Sequence, residues 1–425
     1  PISIGLGLLL VVMEGMYLKT GKELYHEMTR FWVKIFGLVF ALGVASGIVM
    51  EFQFGTNWAA YSRYVGDIFG SALAAEGIFA FFLESGFLAI LLFGWDKVKP
   101  RTHFFATIMV ALGAHFSAIW IVVANSWQQT PAGYHIVPRG DGFRAELTDF
   151  SEAVLNPSFL DRISHVYMGA WQAGAFLVLS VSAFYLLRHK HDAIAKGAVK
   201  IALPLAIFAS VFQLVTGHSS AKGVSEHQPA KLAAYEGLYE TGKPADLYIA
   251  GWVDEANERT FGIAVPGGLS WLLHGDTDAP VTGLRAFAEE DRPPVNIVFQ
   301  SYHIMVAVGF LLIAISLAGA FFWGRGRLFE TRWYLWVLVF AVLGPQIANQ
   351  LGWLSAEVGR QPWIVYDLLR TSDALSASVS AGEVLTSLVL FGLIYLLLFV
   401  LFVYLLNEKI QHGPGEVPVS EGRMA

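Results

Sequence analysis

The chain is a succession of long apolar stretches separated by polar connections. Nine stretches approach or exceed the roughly 18 to 20 residues needed to cross a hydrocarbon core about 30 Å thick. We therefore predict an all-α integral membrane protein with nine transmembrane helices and no strands. The predicted helices are 1–17, 31–50, 70–94, 104–126, 163–187, 198–216, 302–323, 333–353 and 384–406. Pro1 already lies within the first apolar stretch, so we expect this helix to be truncated.

The connections predict an orientation, because Lys and Arg concentrate in cytoplasmic loops. Alternate connections carry most of the basic residues. The N-terminus is therefore predicted outside and the C-terminus inside, with residues 407–425 as a cytoplasmic tail. The basic residues in question are Lys19, Lys22, Arg30, Lys97, Lys99, Arg101, Arg188, Lys190, Lys196, Lys200, Arg325, Arg327 and Arg332.

One connection, residues 218–298, is much longer than the others and divides helices one to six (1–217) from helices seven to nine (299–406). It holds 12 acidic and 6 basic side chains. Long insertions without structure are uncommon in compact proteins, so this segment is predicted to be an outer-face lid or a substrate-binding element. A plain linker is the alternative.

Composition excludes several classes of protein. Hydrophobic residues make up 55% of the chain and charged residues 15%, which is far from a soluble domain. There is no cysteine, so disulfides, iron–sulfur clusters and thiolate-bound metals are excluded. The net charge of −6 argues against nucleic acid as a partner.

Two carboxylates, Glu76 and Glu84, fall within the third predicted helix. A charge at membrane depth is costly, so each is a functional candidate. Eight residues of α-helix give about 12 Å of rise and about 80° of rotation, so both carboxylates can line one groove as a proton path. Ser117 and His115 of the fourth helix could extend it. The alternatives are two structurally neutralised carboxylates, a histidine that only packs, or a carrier that binds a coupling ion at Glu76, Glu84 and His115.

His165 and Met305 lie near the starts of two helices that enter the membrane from the same side. They can therefore share a depth, and a His and a Met on separate helices are the ligands of a six-coordinate, low-spin haem. A methionine on an apolar helix that only packs is the alternative. His303 competes as a ligand or as a partner of haem propionates.

At the end of the eighth helix, Glu357 and Arg360 are three residues apart. An unpaired carboxylate there would be costly, and an arginine or an iron could compensate its charge. Pro362 then stops the helix.

Several motifs, in order, resemble subunit I of the cytochrome bd quinol oxidases. They are Met-Glu-Phe-Gln-Phe-Gly-Thr-Asn-Trp at 50–58, the segment 76–85 ending Phe-Phe-Leu-Glu-Ser, Lys-Leu-Ala-Ala followed by Glu at 231–236, and Gly-Arg-Gln-Pro-Trp at 359–363. The resemblance covers nearly the whole chain, and its nine-helix architecture agrees with the prediction above.

The resemblance implies roles for particular residues. His165 and Met305 would bind the iron of low-spin haem b, and Glu357 that of one of two high-spin haems, haem b or haem d. Glu76 would lie at the other haem or on its proton path. The remaining roles are proton delivery from the cytoplasm by Glu84 and Ser117, quinol binding by Lys231 and Glu236, and support of the haem cluster by Trp353, Arg360 and Trp363.

The resemblance also implies a terminal respiratory oxidase of the prokaryotic inner membrane, with haem sites toward the outer face. Ubiquinol or menaquinol would be oxidised and oxygen reduced to water. Electrons would pass from low-spin haem b to high-spin haem b and haem d, with cytoplasmic protons consumed, so proton motive force arises without a pump. A second large subunit and one or more single-helix subunits are the implied partners.

Three features depart from the family pattern. A histidine of the family's first helix, which binds a high-spin haem, has no counterpart here, in keeping with the expected truncation. His303 occupies a position where other members carry Arg, and the loop after Glu236 is short.

A haem–copper oxidase or a di-haem cytochrome b is a nearer alternative to the family assignment than a carrier. Both need more intramembrane histidines than His115, His165 and His303 supply.

Overall fold

The structure is a computed structural model that describes residues 1–140, 142–242 and 244–415. Within these residues nine helical spans are long and apolar enough to cross a membrane, which confirms the prediction of a multi-pass membrane protein. The last part of the predicted tail, 416–425, lies outside the described residues. The spans are α1 (Ile2–Thr20), α2 (Glu23–Thr56), α3 with α4 (Ala59–Glu76, Phe82–Phe93), α5 (Pro100–Gln129), α7 (Phe159–Arg188), α8 (Asp192–His227), α11 (Val295–Gly324), α12 with α13 (Arg332–Ala341, Leu343–Val358) and α14 (Ala381–His412).

Most helices extend well beyond the apolar windows that predicted them. The window 198–216 underlies α8, which runs from Asp192 to His227. Hydropathy marks the part of a helix that suits hydrocarbon, whereas the backbone hydrogen bonds continue through polar residues. The first residues of the long connection therefore belong to a helix.

Two spans are interrupted, although the sequence shows no broken helix clearly. A π-helical turn, Gly77–Phe81, separates α3 from α4. The eighth span changes from α12 to α13 at Val342, whose backbone is still helical. Pro345 explains this second interruption, because a proline lacks an N–H and crowds the carbonyl four residues earlier, here that of Ala341.

The centre of the bundle is α7, which packs against α1, α5, α8, α12 and α13. Gly5 of α1 and Gly174 of α7 allow two of these helices to touch, since a Cβ at either glycine would strike the backbone of the other helix. The last span, α14, has no buried residue and contacts mainly α2. Gly43 and Gly47 of α2 do not mediate helix packing within the described chain, because a Cβ at either would meet no atom within 4 Å.

The prediction of no strands is wrong for the connections, where the described residues form three antiparallel hairpins. They were missed because each strand is at most eight residues long, which is far shorter than a membrane-spanning window. Three short helices accompany them. These elements are β1 (Tyr134–Arg139), β2 (Gly142–Leu147), α6 (Phe150–Val154), α9 (Pro229–Glu236), β3 (Leu247–Asp254), β4 (Arg259–Val265), α10 (Gly268–His274), β5 (Trp363–Val365) and β6 (Leu369–Arg370).

Candidate redox and proton-transfer site

His165 of α7 and Met305 of α11 line the same cavity. Its walls come from α5, α7, α8, α9, α11 and α13, and Trp353 of α13 is one of the wall residues. The Met305 thioether lies against Gly352, where a Cβ would be 2.9 Å from the sulfur. The two predicted ligands of the low-spin haem are thus brought together by helices that are far apart in sequence.

The imidazole of His165 is held from α8. Its Nδ1 lies 3.1 Å from the hydroxyl of Thr216, and its Nε2 lies 2.9 Å from the amide nitrogen of Gln213. Gly217 leaves room beside the ring, because a Cβ there would be 3.5 Å from Cε1. The ring is therefore oriented by polar neighbours and faces the cavity.

The cavity fits a haem by the chemistry of its walls. Imidazole and thioether are the donors of a low-spin haem iron. Gly217 and Gly352 keep the space beside these donors free of side chains. Among the described residues, the buried Gln172 Nε2 and Gln213 Oε1 have no hydrogen-bond partner, and both residues line the cavity. Buried polar atoms without a partner are costly, so a polar group of a bound molecule is the natural partner for them.

Beside this cavity lies a buried charged cluster centred on Glu357 of α13. Its carboxylate accepts hydrogen bonds from Asn125 Nδ2 at 2.8 Å and from Arg360. Asn125 Oδ1 in turn accepts a 3.1 Å hydrogen bond from Arg162, a cavity residue. Nε and Nη1 of Arg360 have no acceptor among the described residues. The unused donors and the nearby Arg162 make this a suitable place for an anionic group such as a haem propionate.

Lys231 of α9 belongs to the same cluster. Its side chain is only 1% exposed, and its ammonium donates to Gln129 and, at 2.6 Å, to Gln228. Burial, helped by the positive charges of Arg162 and Arg360, holds the pKa of Lys231 well below its usual value. Lys231 therefore points into the protein rather than to the surface of the loop.

Glu236 ends α9 and is also buried, with Oε2 lacking a hydrogen-bond partner. Burial raises the pKa of this carboxyl to about 8. Five residues separate Glu236 from Lys231, so their side chains leave the helix about 140° apart. The neighbouring Tyr235 stacks on Tyr302 of α11 at 4.5 Å, and both rings line the cavity.

Glu76 and Glu84 both face α5. The Ser117 hydroxyl donates a 2.6 Å hydrogen bond to Glu76, and the Glu84 side chain packs on Gly113, one turn away along α5. The π turn between the carboxylates changes their predicted relationship. It accommodates one residue more than an α turn, which reduces the offset from about 80° to about 20°.

His115 points away from this groove. Its Nδ1 donates to the Ala111 carbonyl at 2.7 Å, and its Nε2 accepts from the Trp171 indole at 3.0 Å. Gly113 and Ser117 lie about 200° around α5 from His115. These bonds satisfy both nitrogens, which supports the packing interpretation of this histidine.

His303 is positioned by main-chain contacts. Its two nitrogens each lie 2.9 Å from a carbonyl oxygen, that of Phe299 in its own helix and that of Tyr248 in β3. Unlike His165 and Met305, His303 does not line the cavity. Its role as a haem ligand or as a partner of haem propionates stays a prediction.

Trp363 of β5 sits apart from the cavity walls, with the guanidinium of Arg370 4.8 Å from its ring centre. Its amide donates to the Arg360 carbonyl at 3.1 Å. Trp363 therefore contacts the charged cluster through the backbone that follows Glu357.

Comparison with known proteins identifies the family. The family described as cytochrome bd terminal oxidase subunit I matches residues 1–414. The chain belongs to this family. The family resemblance read from the sequence motifs is thereby confirmed, and this subunit I is part of a membrane-bound terminal oxidase.

Individual relatives agree over nearly the full length of subunit I. Cytochrome bd ubiquinol oxidase subunit 1 of Bacillus subtilis is 38% identical, with 99% of this chain and 92% of that protein covered. Cytochrome bd-II ubiquinol oxidase subunit 1 of Escherichia coli is 36% identical, with 97% and 93% covered. The structure of bd oxidase from Geobacillus thermodenitrificans superposes with a TM-score of 0.88 at 28% identity, covering 97% of this chain and 94% of that one.

Proposed function

We propose that this chain is the subunit of a quinol:oxygen oxidoreductase that carries the haem sites and oxidises the quinol. The observation that carries the proposal is the placement of His165 and Met305 on the walls of one cavity. Two relatives whose names specify ubiquinol oxidase match nearly the whole chain. Another relative, 33% identical, is named a putative menaquinol oxidase subunit, so either quinol is a candidate substrate.

In this proposal, His165 and Met305 would hold the iron of a low-spin haem b. Glu357 would serve a high-spin haem, haem b or haem d, and Arg162 and Arg360 would supply positive charge for propionates. Bound haems would supply one-electron transfer and an open iron position for oxygen. Trp353, in the cavity wall, would support a low-spin haem bound there, and Trp363 fixes the backbone beside Arg360.

Protons for water reach the oxygen site along α5. Glu84, Glu76 and Glu357 contact this helix at Gly113, Ser117 and Asn125 respectively. The last two contact points are eight residues apart, or about 12 Å of helix. Glu84 passes a proton to Glu76, and the Ser117 hydroxyl holds the Glu76 carboxylate in place. A path from the cytoplasmic side makes the reaction electrogenic without a pump.

Quinol is oxidised at the other end of the cavity, beside α9. Glu236 accepts a proton from the quinol hydroxyl, because it is buried without a hydrogen-bond partner for Oε2. Lys231 contributes to quinol binding through Gln228, which lines the cavity and accepts a hydrogen bond from the Lys231 ammonium. The two residues take separate roles, since they lie on different faces of α9.

In this proposal the oxidase complex lies in the prokaryotic inner membrane, with the N-terminus of this chain and the haem sites toward the outer face. Its partners are a second large subunit and one or more single-helix subunits. α14, which has no buried residue in this chain, provides surface for lipid or for such partners.

A dithionite-reduced minus air-oxidised visible spectrum of the purified complex, with haem extraction from the same sample, tests the proposal. The expected result is the band of a low-spin haem b with the red-shifted band of a chlorin. An intact, folded complex without haem would contradict the oxidase assignment. The carrier, which binds an ion at Glu76 and Glu84, would then be the better assignment.

A further inference from the structure

The β3–β4 hairpin of the long connection has an exposed apolar face. Trp252 and Phe261 are directly opposite each other on the two strands, and Ile263 follows Phe261 on the same face. These three side chains are between 56% and 69% exposed. Such a patch on a fixed element marks a contact surface rather than chance exposure.

The opposite face of the hairpin is packed on the protein. Val253 is buried, and its cross-strand neighbour Thr260 donates a 2.6 Å hydrogen bond to the Gly237 carbonyl at the end of α9. Tyr248 packs with Phe299 of α11 in the same apolar cluster. The hairpin is therefore held in one orientation, with its apolar face directed away from the bundle.

Polar side chains of α11 bind the edge of β3 at three levels. Asn296 Oδ1 accepts from the Val253 amide at 3.2 Å, Gln300 donates to the Gly251 carbonyl at 2.8 Å, and His303 Nε2 lies 2.9 Å from the Tyr248 carbonyl. Positions 296, 300 and 303 share one face of the helix and span about 10 Å along it. The strand thus descends along α11 from its first turn toward the apolar part of the span.

The charged and apolar residues of the hairpin are distributed in the same direction along α11. The turn at 254–259, level with Asn296, is rich in charged residues, and its Glu258 binds Arg285 and Arg292. The opposite end, near the level of His303, carries exposed apolar side chains. They are Ile249, Val265 and, on the adjoining α10, Trp271.

We propose that the apolar face of this hairpin, together with Trp271, lies in the boundary between lipid headgroups and acyl chains. The adjoining helix α11 also exposes apolar side chains over the same levels, where Ile297 and Ile304, next in sequence to Asn296 and His303, are 47% and 46% exposed. Tryptophan is enriched at that boundary of membrane proteins. The described sheet ends at β4, whose free edge limits the depth, because unpaired backbone groups are not stable in hydrocarbon.

The β3–β4 hairpin of the long connection therefore contacts the bilayer as well as the helix bundle. This inference concerns the position of the hairpin and does not depend on the substrate or on the haems. Loss of the oxidase assignment would leave it unchanged.

Depth-dependent quenching of a single fluorophore tests the inference. The chain contains no cysteine, so Ile263→Cys or Asn257→Cys introduces a unique thiol in this subunit. The complete complex is labelled with NBD and reconstituted into phosphatidylcholine nanodiscs, with labelled wild-type complex as background. We expect a shallow spin-labelled phosphatidylcholine to quench position 263 several-fold more than position 257. Aqueous iodide should show the reverse order.

A second site, Trp271→Cys, keeps the test valid if the first variant does not assemble, and elution of the complete complex as a single size-exclusion peak reports correct assembly of each. Equal iodide quenching at 263 and 257 would overturn the proposal, because the face would then be in water. Protection of 263 from both quenchers would also overturn it, because a protein partner would then cover the face.

Discussion

The Ser117 hydroxyl of α5 donates a 2.6 Å hydrogen bond to the carboxylate of Glu76 in α3. Hydrogen bonds to charged groups contribute about 1.5–3 kcal/mol, so Ser117→Ala should slow oxygen reduction by about ten- to a hundredfold. Steady-state oxygen consumption measures this change. Ser117→Thr keeps the hydroxyl and should retain most of the activity. Equal loss in both variants would indicate a packing defect instead of a lost hydrogen bond.

Removal of Glu84 should interrupt proton delivery. General acid–base groups typically contribute about 10²–10⁴-fold to a rate, so Glu84→Ala should reduce oxygen reduction by about 100-fold or more while the low-spin haem spectrum stays intact. Glu330→Ala, at an exposed position in the connection before α12, is the control and should be nearly silent. Unaffected turnover in Glu84→Ala would contradict the proton role.

Replacement of Met305 by Leu should convert the low-spin haem to a high-spin form, because leucine has a similar volume but no ligating atom. The reduced visible spectrum and the haem midpoint potential record the change, and loss of a thioether ligand should lower the potential. Met168→Leu changes a buried methionine outside the cavity walls and should leave both unchanged. An unaltered spectrum in Met305→Leu would refute the ligand assignment.

A methyl group next to the ligand offers a milder test. A Cβ at Gly352 would be 2.9 Å from the Met305 sulfur, so Gly352→Ala should displace the thioether and weaken the low-spin band. Gly324 lies in the same helix as Met305 but outside the cavity walls, and a Cβ there meets no atom within 4 Å. Gly324→Ala is thus the control. Identical spectra for the two variants would argue against iron ligation by Met305.

The raised pKa of Glu236 predicts a pH dependence. A base must be deprotonated to accept a proton, and burial holds the pKa of this carboxyl at about 8. The rate of quinol oxidation should therefore rise as the pH increases through about 8, and Glu236→Gln should lack that rise. Glu226→Gln, at an exposed position of α8, should keep it.

The pH dependence of thermal stability tests the raised pKa of Glu236 independently of activity. A carboxyl whose pKa is higher in the folded protein than its unfolded value of about 4.3 binds more protons when folded. Its contribution to stability is therefore present at low pH and falls between about pH 4.3 and 8. The melting temperature of the wild type should decline over that range more than that of Glu236→Gln. Parallel declines would show that Glu236 does not titrate there.

The sequence was sufficient for the nine spans, and it predicted a common depth for His165 and Met305, which line one cavity. Apolar length identifies a span directly, and two spans entering from one side bring their first turns to a common depth. The partners Asn125, Gln129 and Arg162 were missed. In the sequence, polar residues at the end of a span look like the point where a helix leaves the membrane for water. These residues are buried only because several helices pack together there.

The contacts of His303 could not be predicted for another reason. Its Nε2 lies against a carbonyl of β3, so these contacts depend on a strand that the sequence analysis did not predict. The two strands of that hairpin are far shorter than a membrane-spanning window, so a search for apolar windows does not detect them. The segment Gly-Ile-Phe-Ala-Phe at 77–81 likewise gives no sign of its π turn, because its composition suits an α-helix equally well.

That π turn holds the one residue between Glu76 and Glu84 that a regular α-helix would not accommodate. A variant lacking Phe79 keeps both carboxylates and most of the apolar surface, and it can close the turn as a regular α-helix. Seven residues of α-helix also leave the two carboxylates about 20° apart, so the deletion should preserve their common face. One added residue that continues as α-helix would instead turn everything after it by about 100°, and would separate two groups that no substitution had touched.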